Sequence, residues 1–304
     1  MTEPGRPRVV ALGGGHGLSA SLAAARRYAG EVTAIVSVAD DGGSSGRLRK
    51  AFGIPAPGDL RKCLVALAAD PPTLWAAAFE HRFAGDAGEL AGHPLGNIVI
   101  AGLAASTGDF EVALAEAGRL VGVVGRVLPA TREAVVLKAE IASHSGRITE
   151  VEGQVAVSKA GPIVAVAIVP GDAAPPPGVE EALDAADQVV IGPGSLFTSV
   201  LAVLVVPAIA DALDRAMGRP ATQTVYVANL REQPPETEGM DLAAHIVALH
   251  AHGCRPDVVL WDPAGGLHQG ETGAVRIVEA DLMRSDGLAH DPARLAAALK
   301  DLLT

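Results

Sequence analysis

The chain has 304 residues, 49% of them hydrophobic and 19% charged, with a formal net charge of −11. That composition excludes a disordered or low-complexity chain. The acidic balance and only 3% aromatic residues exclude a broad basic, base-stacking face for nucleic acid. Two cysteines, Cys63 and Cys254, cannot form a disulfide framework, and the polar first eight residues carry no targeting pattern, so two reduced thiols in a cytoplasmic protein are expected.

In chain order, a β-branched run at 8–12 predicts a first strand, broken by glycines at 13–17. Leu18, Leu22 and Ala25 recur at helical spacing, with Arg26 and Arg27 near the helix end and Gly30 closing it. A second buried strand is predicted at 32–38, which completes a β–loop–α–β unit of the kind that builds parallel sheets. Residues 40–46 (DDGGSSG) read as a loop, and Asp59 is placed to cap a helix running through Leu60, Leu64 and Leu67. Residues 72–83 and 95–120 read as helical.

The middle of the chain changes character. Val-rich runs at 134–143 and 148–158, with Ser145-Gly146 between them, predict an antiparallel hairpin, followed by a strand at 162–170 and a surface loop at 172–177. Alternation then resumes: strands at 187–191, 223–227 and 256–261, and helices at 196–204, 206–217, 239–252 and 291–303. The 22 uncharged residues between Gln188 and Asp211 match a bilayer in length, but Gly192, Pro193, Gly194 and Pro207 interrupt them, so a buried strand, turn and helix are expected and no membrane insertion. The fold class that follows is α/β, a Rossmann-like doubly wound and mostly parallel sheet in one domain. Its core is expected from about 8–50 and 185–304, with a helical insertion at about 58–125 and a β-hairpin region at about 133–170.

Each strong glycine cluster falls just after a predicted strand, where open α/β sheets bind ligands. In the first, Gly13, Gly14, Gly15 and Gly17 let backbone approach a phosphate at the start of a helix, whose N-terminus carries about half a positive charge. It is an imperfect dinucleotide fingerprint, because the third required glycine falls on Leu18, and it is no P-loop. His16 stands either to touch a ligand or to cap the loop. In the second cluster, Asp40 and Asp41 suit a ribose hydroxyl or a hydrated Mg²⁺, Gly43, Ser44 and Ser45 suit an anion nest, and Arg47 closes the segment; the plain alternative is a solvated acidic turn. The third segment offers Asp59, as a plain N-cap or a site residue, beside a Cys63 expected in the core. The fourth offers His93 and Asn97, to hydrogen-bond a ligand or to start a helix. The fifth, Gly192, Gly194, Ser195 and Thr198, repeats the logic of the first as a second anion site, and it is not a nucleophile elbow, since Leu196 follows Ser195. Asn229 and Gln233 end a strand as amides able to read a base edge or sugar; His245, His250 and His252 fall on one predicted helix, where His245 lacks a carboxylate companion at metal spacing.

Together the segments GGGHGLS at 13–19, VADDGGSSGRLR at 38–49, PGDLRKCL at 57–64, HPLGN at 93–97, IGPGSLFTSVL at 191–201 and YVANL with QPPET at 226–237 resemble the YvcK-like, or gluconeogenesis factor, family of the CofD-like superfamily. The resemblance runs through nearly the whole chain in order. It implies a CofD-like fold that binds a nucleotide-sugar such as UDP-N-acetylglucosamine or UDP-glucose, or a nicotinamide dinucleotide. It also implies a regulatory role in central carbon metabolism, cell shape and envelope synthesis, with no required cofactor, and self-association into a homo-oligomer. The related CofD enzymes transfer a phospholactyl group from a guanosine diphosphate carrier to a deazaflavin with Mg²⁺, and their acidic second loop corresponds to Asp40 and Asp41. Two positions depart from the family pattern: His16 stands where a Thr is usual, and Ala289 stands where members often carry Arg before the His290-Asp291 pair.

Three readings follow: a nucleotide-sugar-binding regulator without turnover, an Mg²⁺-dependent transferase using a nucleoside diphosphate-linked donor with Asp40 and Asp41 on the metal, and an NAD-dependent oxidoreductase. The long Ser-rich second loop favours the first over the second, and the imperfect fingerprint weakens the third.

Overall fold

The computed structural model describes residues 5–142 and 146–303; the N-terminal residues 1–4 and Ser145 of the expected hairpin turn lie outside them. The first half of the chain runs through β1 (Arg8–Gly13), α1 (Gly15–Ala25), β2 (Glu31–Val36), α2 (Gly43–Phe52), α3 (Pro57–Ala66), α4 (Leu74–Glu80), α5 (Leu95–Thr107), α6 (Phe110–Val121) and β3 (Arg126–Pro129). A small three-stranded unit follows, with β4 (Val136–Ala142), β5 (Ile148–Glu152), α7 (Gln154–Ser158) and β6 (Ile163–Val169). The rest comprises α8 (Val179–Ala185), β7 (Gln188–Ile191), a π-helical turn (Leu196–Val200) leading into α9 (Leu201–Leu204), α10 (Pro207–Met217), β8 (Gln223–Val227), α11 (Leu242–Ala251), β9 (Val258–Trp261), β10 (Arg276–Glu279) and α12 (Pro292–Asp301).

Seven strands form one parallel sheet in the order β10-β9-β8-β7-β1-β2-β3. Its central strands are apolar runs buried on both faces, VVI in β7 and VVLW in β9 among them, which is what a parallel sheet covered by helices on both sides requires. The chain winds outward from β1 in both directions, through β2 and β3 on one side and β7 to β10 on the other. The topological switch therefore lies between β1 and β7, the place where such sheets leave a crevice beyond the carboxyl ends of their strands. A second, antiparallel sheet has the order β5-β4-β6, and β4 alternates buried and open positions as a one-sided sheet does.

Several expected elements differ from the observed ones. The segment expected as a loop at 40–46 already contains the first turns of α2, whose buried positions are Ser44, Ser45 and Leu48, so its inward face has no apolar period to read. The stretch at 95–120, expected to be helical, is divided into α5 and α6, because Asp109 accepts from the Glu111 and Val112 N–H groups and caps the second helix. The second hairpin strand stops at Glu152, and the β-branched run after it coils into α7, where Asp41 accepts from the Val155 N–H at 2.9 Å. The parallel sheet also takes β3, from a segment outside the two expected to build it. No single helix among the described residues is long and apolar enough to cross a membrane; the uncharged stretch after Gln188 folds as β7, a turn and two helices bent by 81°, largely buried.

Candidate functional site

The loops after β1 and β7 meet at the switch point, and glycine is what lets them touch. A Cβ on Gly17 would stand 2.3 Å from the Pro193 carbonyl oxygen, so any larger residue forces the two loops apart. Gly15, with φ of +64°, starts α1 in a left-handed conformation. The N–H groups of Gly15, His16 and Gly17 have no intrahelical acceptor, no side chain caps them, and the first turn holds no acidic residue. This turn therefore keeps its partial positive charge for something else.

Two lobes open at this turn. One, a cavity of about 310 Å³, is polar: Gly14, Gly15, His16 and Gly17 meet Ser37, Asp40, Asp59, Lys62, Gln154, Ser195, Thr198 and Ser199. The other, of about 290 Å³, is walled by Ala20, Pro193, Leu230, Leu288 and Ala289, with Asn229, Arg231, Glu232, Gln233 and His290 around them. His16, Gly17, Gly194 and Gln233 border both, so the lobes form one cleft with a shared wall. His16 and Ala289, the two departures from the family pattern, face the same lobe.

The electrostatics of the polar lobe are mixed. Burial raises the pKa of Asp40, opposed by hydrogen bonds from the Gly42 N–H and the Ser45 hydroxyl, while the neighbouring Asp59 charge raises it further. Lys62 donates to Asp59 at 2.9 Å. Partial burial lowers the pKa of His16, the Lys62 charge lowers it again, and the Asp59 charge opposes both. Ser37 and Gln154 carry no local sequence signal, whereas Lys62 and Ser199 lie within the 57–64 and 191–201 motifs without being candidate ligands there.

The structure brings Gly14, Gly15, His16, Gly17, Asp40, Asp59, Gly194, Ser195, Thr198, Asn229 and Gln233 to this cleft. It places others elsewhere. Gly13 and Gly192 lie at the strand ends, bonded to Ser37 and Leu12 through the backbone. Gly43 is exposed at the start of α2. Arg47 lies outside the cleft and donates to the Ala91 carbonyl at 2.8 Å. Asn97 is buried and donates to Ser44, whose hydroxyl also meets His93 Nδ1 at 2.8 Å, so these three tie α2 to α5. Ser45 faces Asp40.

Three expected roles are corrected. Asp59 is not an N-cap: Ala56 holds that position, and the Asp59 carboxylate is turned to Lys62 and towards Gly14. Asp40 and Asp41 do not form a pair, because Asp41 is exposed and bonded to the N-terminal turn of α7, whereas Asp40 faces the cleft beside Asp59. The amide of Asn229 is not free to read a base, since it accepts from the Gly194 N–H and donates to the Gly194 carbonyl, both at 2.9 Å. Among the described residues no three His, Cys, Asp or Glu side chains converge on a metal-sized site.

The expected second anion site is already filled from within the chain. Glu236, 4% exposed, accepts from the Phe197 N–H at 2.8 Å, the Thr198 N–H at 3.2 Å and the Thr198 hydroxyl at 2.9 Å. The helix expected after Gly194 begins as a π turn, with the Val200 N–H reaching back five residues to Ser195 at 3.0 Å. Outside the cleft, His245 bonds the Tyr226 hydroxyl, and His252 accepts from the Val166 N–H, so both serve the core.

A doubly wound sheet with a cleft at its switch point, one open helix N-terminus and two glycine loops in contact defines a Rossmann-like fold with a candidate binding cleft. The sequence matches the family described as 2-phospho-L-lactate transferase CofD over residues 9–289. It is 37% identical over 322 residues to a gluconeogenesis factor of Bacillus subtilis, covering 98% of both chains. It is 43% identical over 248 residues to a gluconeogenesis factor of Halalkalibacterium halodurans, covering 81% of this chain and 74% of that one. A crystal structure of a UPF0052 family member from Bacillus halodurans superimposes with a TM-score of 0.89 at 35% identity, covering 98% of this chain and 100% of that one. The chain belongs to the gluconeogenesis factor family, within the CofD-like group.

Proposed function

We propose that this protein binds a nucleoside diphosphate-sugar, of the UDP-N-acetylglucosamine or UDP-glucose type, and acts as a cytoplasmic regulator linking central carbon metabolism to cell shape and envelope synthesis. The observation that carries the binding is the uncapped first turn of α1. Its free N–H groups border both lobes of the cleft, with Lys62 beside them, which suits a diphosphate flanked by two larger groups. Among the described residues no hydrogen bond joins His16 to a hydroxyl of the cleft. The regulatory role rests on the family resemblance.

One observation favours a second reading, a transferase acting on a nucleoside diphosphate-linked donor. Asp40 and Asp59 face the same lobe, and two carboxylates suit Mg²⁺, which keeps most of its waters; the ion would supply charge neutralisation for a leaving phosphate. Lys62 already neutralises part of this pair. Calorimetric titration with UDP-N-acetylglucosamine, UDP-glucose, GDP and NAD, each with and without Mg²⁺, followed by product analysis of the same samples, separates the readings. Saturable binding of a UDP-sugar that is recovered intact is the expected result. Cleaved donor, or binding only with Mg²⁺, gives the transferase, and no nucleotide binding removes both.

A further inference from the structure

The two lobes differ in chemistry, and the difference assigns a direction to the ligand. We propose that a nucleoside diphosphate-sugar lies across the shared wall with its base in the lobe between Leu230 and Leu288, its diphosphate on the α1 turn at Gly17, and its sugar in the lobe of Asp40 and Asp59. The inference rests on the binding proposed above and adds the polarity of the bound molecule and the residues that select its base.

Carboxylates accept hydrogen bonds from vicinal hydroxyls and repel phosphate, so the lobe holding Asp40 and Asp59 suits a sugar. Gln154 at the start of α7 adds an amide to the same lobe. A planar base needs apolar faces instead. Leu230 is buried at 6% exposure on one side of the second lobe, and Leu288 is 73% exposed on its rim.

An apolar side chain so open to water is unremarkable on a loose surface, but the Leu288 loop is held in place. The Asp262 carboxylate accepts from the Leu282 and Met283 N–H groups at 2.8 and 3.0 Å. The Arg284 N–H reaches the Ala289 carbonyl at 2.9 Å, and the Arg231 guanidinium donates to the Gly287 carbonyl from the opposite side of the lobe. Leu288 is thus presented over a cavity with an apolar floor, where a base would cover it. His290 adds no charge: its Nε2–H donates to the Ala228 carbonyl at 3.2 Å and burial pulls its pKa down to about 4.

The test compares Leu288→Ser and Gln154→Ala with the wild type, each titrated calorimetrically with UDP and with UDP-N-acetylglucosamine. Both variants should keep the wild-type circular dichroism spectrum, since Leu288 is on the rim and Gln154 is partly exposed. Leu288→Ser, which adds no charge beside the diphosphate, should weaken UDP and the UDP-sugar alike, by roughly tenfold, as expected for losing an apolar face of a base. Gln154→Ala should weaken the UDP-sugar and leave UDP within about twofold, a difference of about 0.4 kcal/mol. If Gln154→Ala weakens UDP as strongly as Leu288→Ser does or leaves the UDP-sugar unchanged, or if Leu288→Ser leaves UDP unchanged, the polarity is wrong while nucleotide binding stands. A wild-type protein that binds neither ligand removes the binding reading itself, and the polarity with it.

Discussion

The Glu236 carboxylate accepts from both the N–H and the hydroxyl of Thr198, at 3.2 and 2.9 Å, and so occupies the helix end that the Gly192–Ser195 turn would otherwise offer to an anion. One helix N-terminus in the cleft is filled by the protein's own carboxylate and the other, at α1, is left open. Only the α1 turn is left to receive the diphosphate of the proposed ligand.

Replacing Glu236 tests that arrangement. Glu236→Ala strands the Phe197 and Thr198 N–H groups, each costing about 1–3 kcal/mol when buried without a partner. Glu236→Gln keeps one carbonyl oxygen for them and should cost less. Burial raises the folded-state pKa of Glu236 above its ordinary value. A raised acid contributes stability that is fully present below the unfolded pKa and is lost as pH rises through the folded one. Urea denaturation from pH 4 to pH 8 should therefore show the wild type losing stability relative to Glu236→Gln as pH rises. A constant difference across that range would mean that the hydrogen bonds from Thr198 and Phe197 offset the whole effect of burial.

Two neighbouring glycines should behave differently. Gly17→Ala puts a methyl group 2.3 Å from the Pro193 oxygen, and overpacking of this kind costs about 1–3 kcal/mol. It also separates the two loops of the cleft, so ligand affinity should fall by tenfold or more, about 1.4 kcal/mol per factor of ten. Gly15→Ala meets only Asp59, at 3.9 Å, and its cost is the left-handed φ, about 1–2 kcal/mol. Its affinity should stay within severalfold of wild type. Thermal melts paired with titrations of both variants check the contrast.

Much of this site was legible in the sequence because its signals are local. Apolar runs such as VVI at 189–191 announce buried strands, and the glycines after β1 and β7 follow them directly. What stayed hidden depends on distance or on polar burial. Glu236 reaches Phe197 across 39 residues, and no local pattern marks it. Helix α2 turns Ser44 and Ser45 inward against His93, Asn97 and Asp40, so its buried face carries no hydrophobic period. Adjacency misled at Asp40 and Asp41, where consecutive side chains point to different parts of the fold; the partner of Asp40 in the cleft is Asp59, from another helix.

Lys62 is the cation nearest the open helix turn among the cleft-lining residues of the polar lobe. Lys62→Met should lower the affinity for UDP by roughly ten- to a hundredfold, the loss expected for a charge-assisted hydrogen bond of about 1.5–3 kcal/mol. The loss should shrink in high salt. Fold stability should change by less than about 1 kcal/mol, because the Lys62–Asp59 pair is partly exposed, at 24% and 15% for the two side chains. A variant that binds UDP like the wild type at low salt would move the diphosphate away from this lysine.

His16 supplies a pH signature of the bound state. In the free protein burial and then Lys62 hold its pKa below the ordinary imidazole value, with Asp59 and Glu80 opposing and Arg61 adding to the depression. A depressed histidine contributes stability that is present above the unfolded pKa and lost as pH falls through the folded one. His16→Gln should therefore remove part of the acid-side loss of stability. A diphosphate on the α1 turn adds negative charge beside the ring and offsets the lysine, so binding raises the pKa of His16. Linkage then requires proton uptake on binding and an affinity that grows as pH falls from 7.5 towards 6. Calorimetry in two buffers of different ionisation enthalpy measures that uptake directly. It should vanish in His16→Gln, and an uptake unchanged by the substitution would assign the proton to another group of the cleft, with Asp40, whose pKa is already raised, the first to examine.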